Sequence, residues 1–414
     1  MSGAYARGAC PGLTAPMVTG DGLLARLVPA VPIRLDAFIG LCAAARAHGN
    51  GTMEISARGS LQIRGLNPVS APLFAEAVAA LAIDICESVP VIADPLPGDP
   101  AALIDANAIA TALSHAAAER MLPLAPKISV VVDGGGRLDL DTLFADIRLR
   151  AAATSEGPRF HVALAGDGAS ATPVGIIAPG EALDAALALL TAIAELGPEA
   201  RGADLLRAHK ATGARSGAAP RPVPQNRAQA IGLHPLKGGA FAFGLGLAFG
   251  HAHAEALMRL AAIASRNDAR WARPAPDRAL LLGPLSEANA TATSREAQEL
   301  GFIVEARDPR RRIVACPGAP ACAQGLIAAR ALAAEIARDV PLPGGQGVAL
   351  HVSGCAKGCA HPAPAPLTIV GTEGGCGVIA NGTARAAPVR YIEPRELIAA
   401  LRPASRNTLE AVNA

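Results

Sequence analysis

Four cysteines near the C-terminal end carry the clearest chemistry in this chain. They stand in two close pairs, Cys316-Pro-Gly-Ala-Pro-Ala-Cys322 and Cys355-Ala-Lys-Gly-Cys359, with 32 residues between the pairs. Two such pairs brought together supply four thiolates to one site, a donor set that suits an iron–sulfur cluster or zinc. Structural zinc sites usually space paired cysteines two to four residues apart. Cys316 and Cys322 have five residues between them, all Pro, Gly or Ala. A segment of that composition bends around a bulky group and lets backbone N–H groups approach its sulfide. The spacing therefore favours a 4Fe–4S cluster on Cys316, Cys322, Cys355 and Cys359 over zinc or four unligated core thiols.

Composition limits what else the chain does. Its 414 residues are enough for two or three domains. No apolar run of about 18 residues is free of charge, His or Pro, so no membrane-spanning helix is expected. The first 16 residues hold one Arg and no apolar h-region, so no secretory signal is expected. Eight cysteines are too few for a disulfide scaffold at this length, and clustered thiols without a signal fit a reducing cytoplasm. A net charge of +2 argues against general nucleic-acid binding, and 3% aromatics argues against base-stacking platforms. The cations are nearly all Arg, the only lysines being Lys127, Lys210, Lys237 and Lys357. Arginine forks suit carboxylates and phosphates, although a codon bias toward Arg and Ala accounts for much of the excess. No P-loop and no Gly-x-Ser-x-Gly elbow is present.

The elements that must position these groups follow from periodicity. Gly22 to Val28 has strand character. Leu35 to His48 places Leu35, Phe38, Ile39, Cys42 and Ala45 on one helical face, which makes Cys42 a core residue. Gly49-Asn50-Gly51 ends that helix. Thr52 to Ser56 and Leu61 to Arg64 are short strands flanking Ala57-Arg58-Gly59, and Pro72 to Leu81 is a second helix. The first four elements of this β-α-β-β-α order return 217 to 220 residues later, at Gly239 to Leu247, His253 to Ala264, Ala269 to Arg273 and Ala279 to Gly283, with Arg278 in the place of Arg58.

Between the copies we expect a helix over Leu103 to Ala118 and a buried strand over Leu122 to Val132 with Lys127 at its start. Strands near Asp146 to Arg150, Arg159 to Ala165 and Thr172 to Ile177 follow, then a helix over Glu181 to Leu196. Gly197 to Gln229 reads as a linker. After the second copy a helix runs from about Leu326 to Arg338, and a strand over Val348 to Val352 delivers Cys355. Leu367 to Val370 and Val378 to Ile379 are further strands, and Pro394 to Leu401 is a closing helix. The expected divisions are 1–85, 86–200, a linker over 201–230, 231–305 and 306–414.

Paired cysteines at these spacings, on a chain with an internal repeat, resemble the sirohaem-dependent sulfite and nitrite reductase family over nearly the whole length. Narrower matches are Arg7-Gly-Ala-Cys-Pro-Gly-Leu13, Met17-Val-Thr-Gly-Asp-Gly-Leu-Leu24, His48-Gly-Asn-Gly51, Ala57-Arg-Gly-Ser-Leu-Gln-Ile-Arg-Gly65 and Gly354-Cys-Ala-Lys-Gly-Cys-Ala-His361. With the first cysteine pair, they look most like the branch that oxygenates precorrin-3A, a metal-free tetrapyrrole, in aerobic cobalamin synthesis.

The resemblance implies an α+β fold. It has duplicated ferredoxin-like half-domains related by a pseudo-twofold axis and two α/β nitrite/sulfite-reductase-type domains, of which 306–414 carries the cluster. The tetrapyrrole is expected between the halves, its carboxylates held by Arg26, Arg58, Arg64 and Lys127. Lys127 matches one of a lysine pair, and Ala125 stands where reductases have the other, which weakens a reductase reading. In reductases the fourth cysteine also bridges to the sirohaem iron; Cys359, facing a metal-free substrate, need only ligate the cluster.

The implied reaction puts one atom of O2 at C20 with closure of a γ-lactone. The cluster donates electrons singly, and an electron donor protein or reductase supplies them. A mononuclear non-haem iron is implied as well, with two His and a carboxylate as its usual ligands. No motif identifies them, and His48, His361 and Cys10 are unassigned. The alternative is an assimilatory sirohaem-dependent sulfite or nitrite reductase. Arg310-Arg311-Arg312 is either a dock for an acidic electron donor or a solvated strand end.

Overall fold

The computed structural model describes residues 11–86, 89–138, 140–211, 228–342 and 347–402. Cys10, the start of the N-terminal motif, residues 212–227 of the expected linker and the tail beyond 402 lie outside them.

The chain begins with β1 (Met17–Thr19), β2 (Gly22–Leu27), β3 (Ile33–Arg34), α1 (Leu35–His48), β4 (Thr52–Ile55), β5 (Leu61–Leu66) and α2 (Ser70–Ala80). Next come β6 (Val91–Ala93), α3 (Ala106–Glu119), β7 (Val130–Asp133), β8 (Ala145–Thr154), β9 (Gly157–Gly166), β10 (Thr172–Ile177), α4 (Ala182–Glu195) and α5 (Gly202–Ala211). A third stretch holds β11 (Gly232–Pro235), β12 (Phe241–Gly246), β13 (His251–His253), α6 (Ala254–Arg266), β14 (Trp271–Ala275), β15 (Ala279–Leu285) and α7 (Glu287–Glu299). The last holds β16 (Ile313–Ala315), α8 (Ala329–Asp339), β17 (Leu350–Ser353), β18 (Ala365–Thr372), β19 (Gly375–Gly382), β20 (Arg390–Ile392) and α9 (Leu397–Leu401).

These strands form four five-stranded sheets in a mixed α/β architecture. The first sheet is ordered β1-β2-β5-β4-β13 and the third β11-β12-β15-β14-β3. The orders match strand for strand, and each sheet takes its fifth strand from the other's stretch of chain. β3 leads into α1 yet pairs with β14, and β13 leads into α6 yet pairs with β4. α1 and α6 pack on each other. A single apolar core joins Leu27, Phe38, Leu41 and Ile63 to Phe243, Leu257, Leu260 and Leu282.

The other two sheets also share an order. β6-β7-β8 and β16-β17-β18 are parallel, and each continues into two antiparallel strands. Each has a separate core under its helices. Among the described residues no helix is long and apolar enough to cross a membrane.

Several boundaries differ from expectation for local reasons. The strand expected from Leu122 begins only at Val130, because Pro123 and Pro126 cannot donate to a ladder, and Lys127 sits in a turn before it. The helix after Cys322 starts at Ala329, three residues late. Leu326 N–H is already donated to Gly354 O at 2.7 Å, and Ile327 O accepts from Ala319 N–H at 2.8 Å. The expected linker opens with α5, which follows a fork from Arg201 to both oxygens of Asp146 at 2.9 and 2.8 Å. Cys42 lies in the shared core, where burial pushes its thiol pKa well above the usual value.

Phe38 is fully buried in that core. Phe38→Ala is expected to cost about 3–5 kcal/mol, seen as a lower urea midpoint at unchanged slope.

Candidate functional site

Successive residues of a strand face opposite sides of its sheet. In β2, Ala25 and Leu27 enter the core while Leu24 and Arg26 open onto a cavity; in β5, Leu61 and Ile63 point inward while Gln62 and Arg64 face the cavity. Glu54 of β4 lines it too. The registers align Arg26, Gln62 and Glu54 across the sheet, and the exchanged β13 sets His251 beside Glu54. Burial, with Arg330 nearby, pushes the His251 pKa down to about 4, so its ring is neutral at neutral pH.

The cavity is about 820 Å³, within the usual range of ligand sites. The first sheet forms one wall, the Lys127–Ser129 segment another, and the loops after β16 and β17 a third. All four cysteines of the sequence motif line it, as do Arg26, Arg58, Arg64 and Lys127.

Cys316 follows β16, and Cys355 follows β17, two residues beyond its last residue. Cys316 Sγ accepts the Gly354 N–H at 3.0 Å, and the Gly318 N–H also faces it. Burial raises the Cys316 thiol pKa; those N–H groups oppose the shift, and Cys322 and Cys355 lie within electrostatic reach and add to it. The loops approach closely because they lack side chains at the contact. A Cβ on Gly354 would stand 2.9 Å from Gly318 Cα and 3.4 Å from Cys316 Sγ, and Gly318 has φ +66°. All four thiols are free, and Cys359 is the most exposed. Among the described residues no three His, Cys, Asp or Glu side chains converge on one ion position, so His48 and His361 gain no third donor. His361 instead stacks edge-on against His351, with ring centroids 5.6 Å apart.

The cations divide by partner. Arg64 is 3% exposed. It forks onto Asp21 at 2.8 and 3.0 Å, faces Glu54 at 3.4 Å and donates to Ala321 O inside the first cysteine loop. Arg330, at the start of α8, donates to Glu54 at 2.7 Å. Arg58 donates to Phe144 O at 2.8 Å but has no acid in contact among the described residues. Burial lowers its pKa; the nearby charge of Asp146 opposes that shift, and Arg201, Arg26 and Arg148 add to it. No side-chain hydrogen bond or ion pair is formed by Arg26 or Lys127 within the described residues. Arg278, Arg330 and Lys357 also line the cavity. The repeat already pairs Arg278 with Arg58, and Lys357 lies inside the second cysteine motif; no local sequence pattern marks Arg330. Against seven cations the lining holds one acid, Glu54.

The Arg310-Arg311-Arg312 run is engaged internally: Arg310 pairs with Asp308 at 2.6 Å and donates to Gly301 O at 2.7 Å, and Arg311 pairs with Asp277.

The comparisons with known proteins agree with this geometry. The chain is 38% identical over 401 residues to a precorrin-3B synthase of Sinorhizobium sp, covering 95% of this chain and 87% of that protein. Its fold is similar to the solved structure of the Mycobacterium tuberculosis NirA protein, with a TM-score of 0.67 and 18% identity over 95% of this chain and 84% of that one. At that identity the likeness concerns the fold. No family model matches the chain.

Two outcomes follow. Gly354→Ala is expected to lose iron while keeping its circular dichroism, because the new methyl group enters the gap between the cysteine loops; iron content checks it. For Asp21, burial pushes the pKa up, but the hydrogen bonds and charge of Arg64 outweigh it and the pKa falls below the ordinary 3.8. A depressed carboxylate stabilises the fold above its unfolded pKa, and that contribution is lost as pH falls through the folded value. Asp21→Asn should therefore flatten the acid limb of stability below about pH 4, read by urea unfolding across pH.

Proposed function

Because the chain belongs to the family of precorrin-3B synthases, we propose that it converts precorrin-3A with O2 in aerobic cobalamin synthesis, placing oxygen at C20 with γ-lactone closure. One observation supports this above others: four free thiols and a cation-rich wall open onto the same cavity. A polycarboxylate ring needs the second, and electron delivery to the ring needs the first.

The thiols fit a 4Fe–4S cluster. They come from two facing loops, backbone N–H groups are aimed at the Cys316 sulfur, and glycines clear the space between the loops. A cubane places each thiolate on a different iron, so its ligands stand apart instead of converging on one ion. When bound, the cluster supplies electrons one at a time. The described residues offer no comparable set for a mononuclear iron, and we assign it no ligands.

The chain's own residues bind and orient. Arg26, Arg58 and Lys127 take substrate carboxylates, since among the described residues no acid pairs with them. Arg64, the fourth residue marked from sequence, keeps its fork on Asp21 and Ala321 O and positions the cysteine loop. Leu24, Val28, Ile92 and Phe249 give the ring an apolar lining that excludes water. One oxygen atom of O2 enters the product and the other leaves as water, with electrons and protons from a donor protein or reductase. We read the matched sheet orders as a duplicated ferredoxin-like unit with pseudo-twofold symmetry, joined to two α/β domains, and place the protein in a reducing cytoplasm.

The test is turnover of precorrin-3A by anaerobically purified, cluster-loaded protein with a reductant and ¹⁸O2. A product heavier by one labelled oxygen is expected, and Cys355→Ser should lose both cluster absorbance and turnover. Sirohaem bands and sulfite or nitrite reduction in their place would move the protein to the reductases.

A further inference from the structure

We propose that Arg278, at the tip of the β14–β15 hairpin, binds a carboxylate of the substrate and is the second half's contribution to a site whose other unpaired arginines come from the first half. This rests on the reading of the substrate as a polycarboxylate tetrapyrrole.

The two hairpin tips touch. Asp277 N–H donates to Ala57 O at 3.0 Å, and Arg58 and Pro276 form an isolated bridge. The turn that presents Arg278 is strained: Asp277 has φ 62° and Arg278 φ 60°. Side chains with a Cβ enter that left-handed region at a cost, and Gly or Asn normally fills it. An observed outlier of this kind points toward function.

The turn is also braced from outside. Arg311 pairs with Asp277, bonds Gln229 Oε1 and donates to Ala306 O at 2.7 Å. Asp277 is thereby taken, and the Arg278 guanidinium has no hydrogen-bond partner among the described residues. Its stem runs across Gly250, where a Cβ would meet Arg278 Cδ at 2.8 Å and Nε at 3.3 Å. Gly250, at φ +77°, provides the passage, and both Gly250 and Arg278 line the cavity. Burial lowers the pKa of this guanidinium, opposed by Asp277 and reinforced by Arg330, yet an arginine stays charged at neutral pH. A strained, braced, half-buried cation without a partner is arranged for an anion that arrives.

The test is equilibrium binding of uroporphyrin, a tetrapyrrole with carboxylates on every pyrrole, to cluster-loaded protein without reductant. Arg278→Asn and Arg278→Gly both tolerate the left-handed backbone, so the hairpin survives. Both are expected to bind about tenfold more weakly or worse, with a smaller salt dependence, while melting at or above wild type. Arg278→Lys should fall between. Variants that bind like a binding-competent wild type overturn the proposal alone, as does an affinity loss that appears only together with a lowered melting temperature. A wild-type protein that binds no uroporphyrin overturns the tetrapyrrole reading itself.

Discussion

The guanidinium of Arg64 ties the cysteine loop to the first sheet. A buried charge is tolerated only when paired and hydrogen-bonded, and Arg64 has three partners: Asp21, Glu54 and the carbonyl of Ala321. The third lies between the first two cysteines of the motif. Glu54 in turn holds Arg330 at the start of α8, the helix that follows the same loop. Gly20 N–H adds a backbone bond to Ala321 O at 3.2 Å. The loop is built from Pro, Gly and Ala, with no polar side chain to order it between its two cysteines. Its rigidity is borrowed from charged side chains on the strand face below. Removing one member of such a buried set leaves the others uncompensated, at about 3–5 kcal/mol.

That arrangement explains why the cavity's cations are not equivalent. Arg64 and Arg330 spend their hydrogen bonds on Asp21 and Glu54, and what they hold is protein. Among the described residues Arg26, Arg58, Lys127, Arg278 and Lys357 have no acid in ion-pair contact, so their mutual repulsion opposes fold stability. Arg58 shows this most plainly: burial depresses its pKa, and three neighbouring arginines depress it further against the opposing charge of Asp146. Groups perturbed in this way cluster at functional sites, and the polyanionic ring of the proposed function would supply them with a partner.

Much of this was legible in the sequence because the signals were local. The helix over Leu35 to His48, the strands around Arg58 and the close spacing within each cysteine pair, Cys316 with Cys322 and Cys355 with Cys359, are all signals of short range in the chain. What was not legible depends on distant pairing. β3 and β13 are two and three residues long, too short for alternation to show, and each is a strand only because it pairs with the other half. α7 buries only Ala290, Thr293 and Ala297, a stripe too weakly apolar to register. Arg64 shows the same limit at the site. Its position on the cavity face follows from period two, but its engagement depends on Asp21 and Ala321, 43 and 257 residues away.

The exchanged strands also decide how the site behaves mechanically. With β3 in the third sheet, β13 in the first and one core beneath both, the halves cannot swing apart as separate bodies. The distance between the Arg58 and Arg278 tips is therefore fixed before any ligand enters, and the cost of assembling like charges is met during folding. A binding wall that needs no reorganisation keeps its full electrostatic attraction for the ligand. The same rigidity holds the wall in register with the cysteine loop, because Arg64 couples that loop to the sheet that carries Arg26. In the proposed function, ring recognition and electron delivery would thus share one frame, which is a physical reason for a single cavity to serve both.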